Sequence, residues 1–151
     1  MEQGCLACDL AAGLQPLPGG LIFRTDRWLV EHCVGPLGVG TLIIKPQRHV
    51  TAVADLTSEE AGELGPLLCK ASRVAGELVP AEQVYSCLWS HGGAVPGHIH
   101  FVIQPVSREV MDRYGLRGPN LQVAMFSTGE RPDPREVERV AARARQLFER
   151  A

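Results

Sequence analysis

The sequence predicts an α+β domain built on a mostly antiparallel sheet of about five strands. Three observations predict it. Short β-branched runs bounded by turn residues recur along the chain. Two longer segments carry apolar residues at helical spacing. The order is strands, a helix, strands, then a helix. At 151 residues the chain fits one domain, 1–151, with enough length to bury a core.

The first strands follow the turn cluster Pro16-Leu17-Pro18-Gly19-Gly20. Leu21–Arg24 and Trp28–His32 read as a hairpin around Thr25-Asp26-Arg27. After the loop Gly35-Pro36-Leu37-Gly38, Thr41–Lys45 is an apolar run closed by Pro46, as a central strand would be. The long helix spans Thr57 to Val79. Thr57 and Glu60 have capping-box spacing, and Ala61, Leu64, Leu68, Ala71, Ala75 and Leu78 form a stripe. Pro66 is expected to kink this helix and Pro80 to end it. Val84–Trp89 and Ile99–Val106 read as two more strands, with Trp89 in the core. Asp133, Pro134 and Glu136 open a C-terminal helix with Val137, Val140, Ala141, Ala144, Leu147 and Phe148 on one face. Residues 107–131 carry no clear pattern.

Composition narrows the function classes. Hydrophobic residues at 45% and charged residues at 21% argue against disorder. A net charge of −2 gives no global field for a nucleic-acid backbone and no polybasic membrane patch. No apolar run is long enough to span a bilayer, and Met1-Glu2-Gln3-Gly4-Cys5 lacks the features of a secretory signal. A soluble, cytoplasmic protein is expected. Five cysteines, an odd number without an export signal, point away from a disulfide framework and towards metal binding. Cys33, Cys69 and Cys87 read as ordinary buried thiols.

Four of the five histidines fall in or near two segments, Lys45–His49 and His91–Pro105. Strand alternation puts His98, His100, Val102 and Gln104 on one face and Ile99, Phe101 and Ile103 on the other. The paired imidazoles then form a compact polar site, and the apolar face can pack on the long helix. Taken singly, each histidine reads first as a hydrogen-bonded, partly buried structural residue; the His-x-His pair after a glycine-containing loop favours the functional reading. Cys5-Leu6-Ala7-Cys8 has the spacing that lets two thiolates hold one tetrahedral ion. Alone it is half a site, and the two cysteines read equally as small apolar residues of a helical turn. Arg48, Arg108, Arg113 and Arg117 are assigned no role.

These segments together resemble the histidine triad (HIT) superfamily of nucleotide hydrolases and transferases. His98-Ile99-His100-Phe101-Val102-Ile103-Gln104-Pro105 is similar to its His-apolar-His-apolar-His strand, with Val102 at the third histidine position. Cys5-Leu6-Ala7-Cys8 is similar to the opening of many bacterial members, and Thr41–Val50 to their strand ending in Pro-Lys-x-His. The resemblance covers most of residues 5–105. It implies a HIT-like core of about residues 5–106, with 107–151 as a C-terminal extension.

The resemblance implies that His100 attacks the α-phosphorus of a nucleotide, forming a nucleotidyl-histidine that is hydrolysed or passed to an acceptor. It implies a structural zinc on Cys5, Cys8, His49 and His98, and pairing into a homodimer through the long helix and a sheet edge. The departures are specific. Val102 replaces the third histidine, and Gly93-Ala94-Val95-Pro96 lacks the phosphate-binding serine of the family. The family's ribose-holding acid would fall near Cys33, with Glu31 the nearest carboxylate. Uridylyltransferase-like members carry glutamine at the third position; here Gln104 stands one strand-step further. Glu31, His91 and Gln104 are therefore the candidate substrate contacts. Two alternatives stand beside catalysis on His100. One is a zinc-stabilised nucleotide-binding or interaction module without activity. The other is a catalytic metal on His91, His98 and His100, which a metal on Cys5 and Cys8 excludes.

Overall fold

The computed structural model describes residues 2–89 and 97–150, with Trp89 described by its backbone alone. His91 and the side chain of Trp89 therefore lie outside the described residues. In chain order the elements are α1 (Leu6–Ala11), β1 (Leu21–Arg24), β2 (Trp28–His32), β3 (Leu42–Pro46), α2 (Ser58–Leu78), β4 (Ala81–Trp89), β5 (His100–Ser107), α3 (Arg108–Tyr114), α4 (Gly118–Thr128) and α5 (Pro134–Arg150). The expected hairpin, central strand, long helix and C-terminal helix are present. The strands form one five-stranded sheet in the order β1-β2-β3-β5-β4, and every pairing is antiparallel.

Alternation along the strands gives the sheet two apolar faces. Trp28, Val30, Leu42, Ile44 and Ile103 pack with Leu67, Ala71, Val74, Ala75 and Leu78 of α2 and Val140, Ala141, Ala144 and Phe148 of α5. Each large apolar side chain buried there contributes about 1.5–3 kcal/mol. The stripe on α5 is buried as the sequence indicates except at Leu147, which is half-buried. The stripe on α2 is partly shifted: Leu67 and Val74 are buried, whereas Ala61 is exposed. Cys69 corrects an expectation. It lies on the outer side of α2 and is exposed, and Cys87 is half-buried; only Cys33 of the three is buried. The capping box forms: Glu60 N–H donates to Thr57 Oγ1 at 3.2 Å, and Thr57 N–H donates to Glu60 Oε2 at 2.8 Å. The helix continues across Pro66 and ends at Leu78, before Pro80.

Residues 108–128 cover the second face. Met111 of α3 and Leu121 and Met125 of α4 pack on Cys33, Val102 and Val106. α3 is capped by Ser107 and closes on Gly115 at φ 63°, a left-handed conformation that suits glycine. α5 docks closely against the entry to β1. A Cβ on Gly19, at φ 77°, would lie 2.5 Å from that of Ala141, so only glycine fits there. Arg145 then donates to the carbonyls of Gly19 at 2.7 Å and Leu21 at 3.1 Å.

Candidate functional site

Cys5 caps α1 and Cys8 lies one turn on, so both thiols point the same way from a short helix. The β3 strand ends at Pro46, three residues before His49. Ile99 N–H donates to the Val50 carbonyl at 2.9 Å, which draws the start of β5 beside the end of β3. Arg48 reaches Glu60 through two hydrogen bonds, at 3.1 and 2.8 Å, and ties this segment to the start of α2. These constraints bring Cys5, Cys8, His49 and His98 together, with all four ligand atoms within 4.8 Å of one another.

The four residues fit a tetrahedral metal. Cys5 Sγ lies 3.6 Å from His98 Nδ1, Cys8 Sγ 3.4 Å from His49 Nδ1, and Cys8 Sγ 3.6 Å from His98 Nδ1. Metal–sulfur bonds of about 2.3 Å and metal–nitrogen bonds of about 2.0–2.1 Å at tetrahedral angles place such atoms about 3.5 Å apart. The second ligand shell is also in place. His98 Nε2–H donates to the Pro46 carbonyl at 3.0 Å, which leaves the Nδ1 lone pair facing the thiols. Burial, helped by neighbouring positive charge, pushes the His98 imidazole down to about 4, so it is the neutral ligand form. Burial also pushes the Cys5 thiol up, so metal binding there displaces a proton.

Beside this cluster is a cleft of about 310 Å³, within the range of small-ligand sites. Its walls include Leu6 and Leu10 of α1, Glu31 of β2, Lys45 of β3, His98, His100 and Val102, and Phe126 and Arg131 beyond β5. His100 is half-buried. A carbonyl can only accept, so the 3.0 Å contact between His100 Nδ1 and the His98 carbonyl puts the proton on Nδ1 and the lone pair on Nε2. Glu31 and Lys45 form a buried ion pair at 2.7 Å, with side chains 4% and 1% exposed. Lys45 Nζ also donates to the Ala7 carbonyl at 2.9 Å, holding α1 over the cleft. Burial raises the Glu31 carboxyl, and Lys45 opposes that rise.

The other nominated contacts divide. Glu31 lines the cleft. Gln104 is fully buried below it instead: Nε2 donates to the Leu37 carbonyl at 2.9 Å and contacts Met125 Sδ at 3.3 Å, so the extra strand-step carries the glutamine into the second core. Val102 packs in that same core. Arg48 is held by Glu60, Arg108 by Glu82 and Arg113 by Glu130. Arg131 and the Lys45 pairing are the features sequence reasoning missed. Lys45 read only as the end of a strand, although a lysine within an otherwise apolar run is a signal that a buried acid faces it.

No family model matches the chain. Solved structures do. A HIT-like protein involved in cell-cycle regulation from Bartonella henselae has a TM-score of 0.72 at 14% identity, covering 97% of this chain and 98% of that one. A hypothetical histidine triad nucleotide-binding protein from Sulfolobus tokodaii has a TM-score of 0.73 at 15% identity, covering 97% and 93%. A zinc-bound histidine triad family protein from Mycobacterium smegmatis has a TM-score of 0.67 at 18% identity, covering 97% and 94%. The similarity extends over nearly the full length of each pair, and the protein has the histidine triad fold.

Proposed function

We propose that the chain binds a nucleotide or nucleotide conjugate and cleaves or transfers at its α-phosphate through His100. The observation that carries this reading is the hydrogen bond from His100 Nδ1–H to the His98 carbonyl. It fixes the tautomer a nucleophilic imidazole needs, on a ring that lines the cleft. In the first step Nε2 bonds to the α-phosphorus, and the bond to the leaving oxygen or nitrogen breaks with its electron pair. In the second step water or another acceptor attacks the same phosphorus and frees Nε2. The nucleotide-binding description of the Sulfolobus neighbour supports the substrate class.

Cys5, Cys8, His49 and His98 are proposed to hold zinc. A closed set of four protein ligands leaves the ion no open position, so its contribution is structural: it clamps α1 to the ends of β3 and β5. The zinc-bound Mycobacterium neighbour supports that choice of metal. Glu31 and His91 are the proposed substrate contacts, and the 151 residues act as one unit that pairs as a homodimer. Nucleic acid and membrane are not proposed as partners; the net charge of −2 supports this, and no described helix is long and apolar enough to cross a membrane.

One observation favours a second reading, a binding module without turnover: Val102 stands at the third histidine position and is 1% exposed. Steady-state assays of wild type and His100→Asn against nucleoside phosphoramidates, dinucleoside polyphosphates and nucleotide sugars decide between them. The proposal expects wild-type turnover that falls by several orders of magnitude in the variant. Absence of turnover across the panel leaves the binding module.

A further inference from the structure

We propose that Arg131 is the anion-binding side chain of the cleft, contacting the phosphate of the nucleotide held against His100. This rests on the nucleotide reading above and names a residue for it. A phosphate beside His100 needs positive charge, and the cleft wall offers two cations among the described residues, Lys45 and Arg131. Lys45 is committed: its charge is matched by Glu31 at 2.7 Å, and it also donates to the Ala7 carbonyl. Arg131 takes part in none of the ion pairs among the described residues. The electrostatic balance of this wall therefore leaves one uncompensated positive charge, on Arg131.

The side chain comes from a short turn that is anchored at both ends. α4 closes on Gly129 in the left-handed conformation, at φ 68°. Glu130 N–H donates to Thr128 Oγ1 at 3.2 Å, and the Glu130 carboxylate takes two hydrogen bonds from Arg113, at 3.1 and 2.9 Å. On the other side, Asp133 Oδ1 accepts from Arg135 N–H at 2.8 Å and starts α5. Arg131 sits between these fixings. Its charge is felt at Cys33 in the same wall: burial pushes that thiol up to about 11, and Arg131 pulls against the rise. A guanidinium suits this task because its fork of N–H donors matches two phosphate oxygens at once.

The test is calorimetric titration of the full-length protein with the four ribonucleoside 5′-monophosphates and with the four uncharged nucleosides. Arg131→Gln should weaken monophosphate binding roughly ten-fold and leave nucleoside binding unchanged, because one charge-assisted contact is lost. Arg131→Lys should recover part of the loss. Wild-type affinity should fall as salt rises, and that fall should be shallower in Arg131→Gln. Arg131 is exposed, so its substitution leaves folding intact, which a melting curve verifies. If wild type binds a monophosphate and Arg131→Gln binds it equally well, the assignment of Arg131 is overturned while the nucleotide reading stands. If wild type binds none of the four, both fall together.

Discussion

His98 and His100 are joined through a single carbonyl. The His98 oxygen accepts the Nδ1–H of His100 at 3.0 Å, while the His98 ring turns its own Nδ1 to within 3.6 Å of both Cys5 and Cys8 Sγ. Two histidines two positions apart thus face different ways: one towards the Cys5 and Cys8 thiols, the other into a cleft. The Cys5, Cys8 and His49 side chains surround the His98 ring, and the His98 carbonyl in turn sets the tautomer of His100.

Removal of the metal should therefore loosen the cleft as well as the N-terminus. Purified protein should carry about one zinc per chain. Cys5→Ser/Cys8→Ser should lose it and melt at a lower temperature, and a strong chelator should lower the melting temperature of wild type towards that of the variant. Elemental analysis and thermal scans check this. Unchanged metal content and melting temperature in the double variant would remove the site.

The ion pair between Glu31 and Lys45 makes a sharper stability prediction. Lys45→Met leaves Glu31 buried without its cation and should destabilise by about 3–5 kcal/mol. Replacing both, as Glu31→Gln/Lys45→Met, should cost less than Lys45→Met alone. The sign with pH is fixed by burial, which raises the Glu31 carboxyl above its unfolded value. A raised folded value gives stability that is complete at low pH and lost as pH rises through it. The deficit of Lys45→Met should thus be larger at pH 8 than at about pH 5, as denaturant titrations at the two values would show.

His32 gives a pH dependence of opposite sense. Its ring is buried, donates from Nδ1 to the Cys33 carbonyl at 2.8 Å and accepts the Gly40 N–H on Nε2 at 2.9 Å, so both nitrogens are used in the neutral form. Burial holds its value below 6.5. A depressed value means stability present above 6.5 and lost as pH falls through the folded value. His32→Gln should cost about 1–3 kcal/mol at neutral pH and flatten the stability profile below 6.5. An unchanged acid slope would contradict this account of His32.

β4 is an edge strand of nine residues, with Glu82, Gln83, Ser86 and Leu88 exposed. An edge strand of that length favours pairing with a second copy. Light scattering at micromolar concentration should give the mass of two chains. The mass of one chain would contradict the homodimer.

The pattern of what could be read from the sequence follows the range of the interactions. The strand containing His100 to Gln104, the three-residue step from Cys5 to Cys8, the Thr57–Glu60 box and the Asp133-Pro134 start are local, and each has the predicted structural form, whereas His98 and Ile99 precede the strand. The offset of the α2 stripe and the exposure of Cys69 depend on how that helix is rotated against the sheet, which spacing alone leaves open within a residue. α3 has seven residues, and α4 both buries Leu121 and Met125 and exposes Val123 and Phe126, so neither shows a one-sided stripe. Arg131 was hidden for the same reason: only the folding of that segment over the second face brings it into the wall of the cleft that His100 also lines.

The central claim is that His100 is the nucleophile, and intact-mass spectrometry after rapid acid-free quenching tests it most directly. Wild type mixed with a nucleotide substrate should gain the mass of one nucleotidyl group per chain, mapped by peptide digestion to His100, and His100→Asn should gain none. A nucleotidyl adduct on another residue, or one that persists in His100→Asn, would contradict the account.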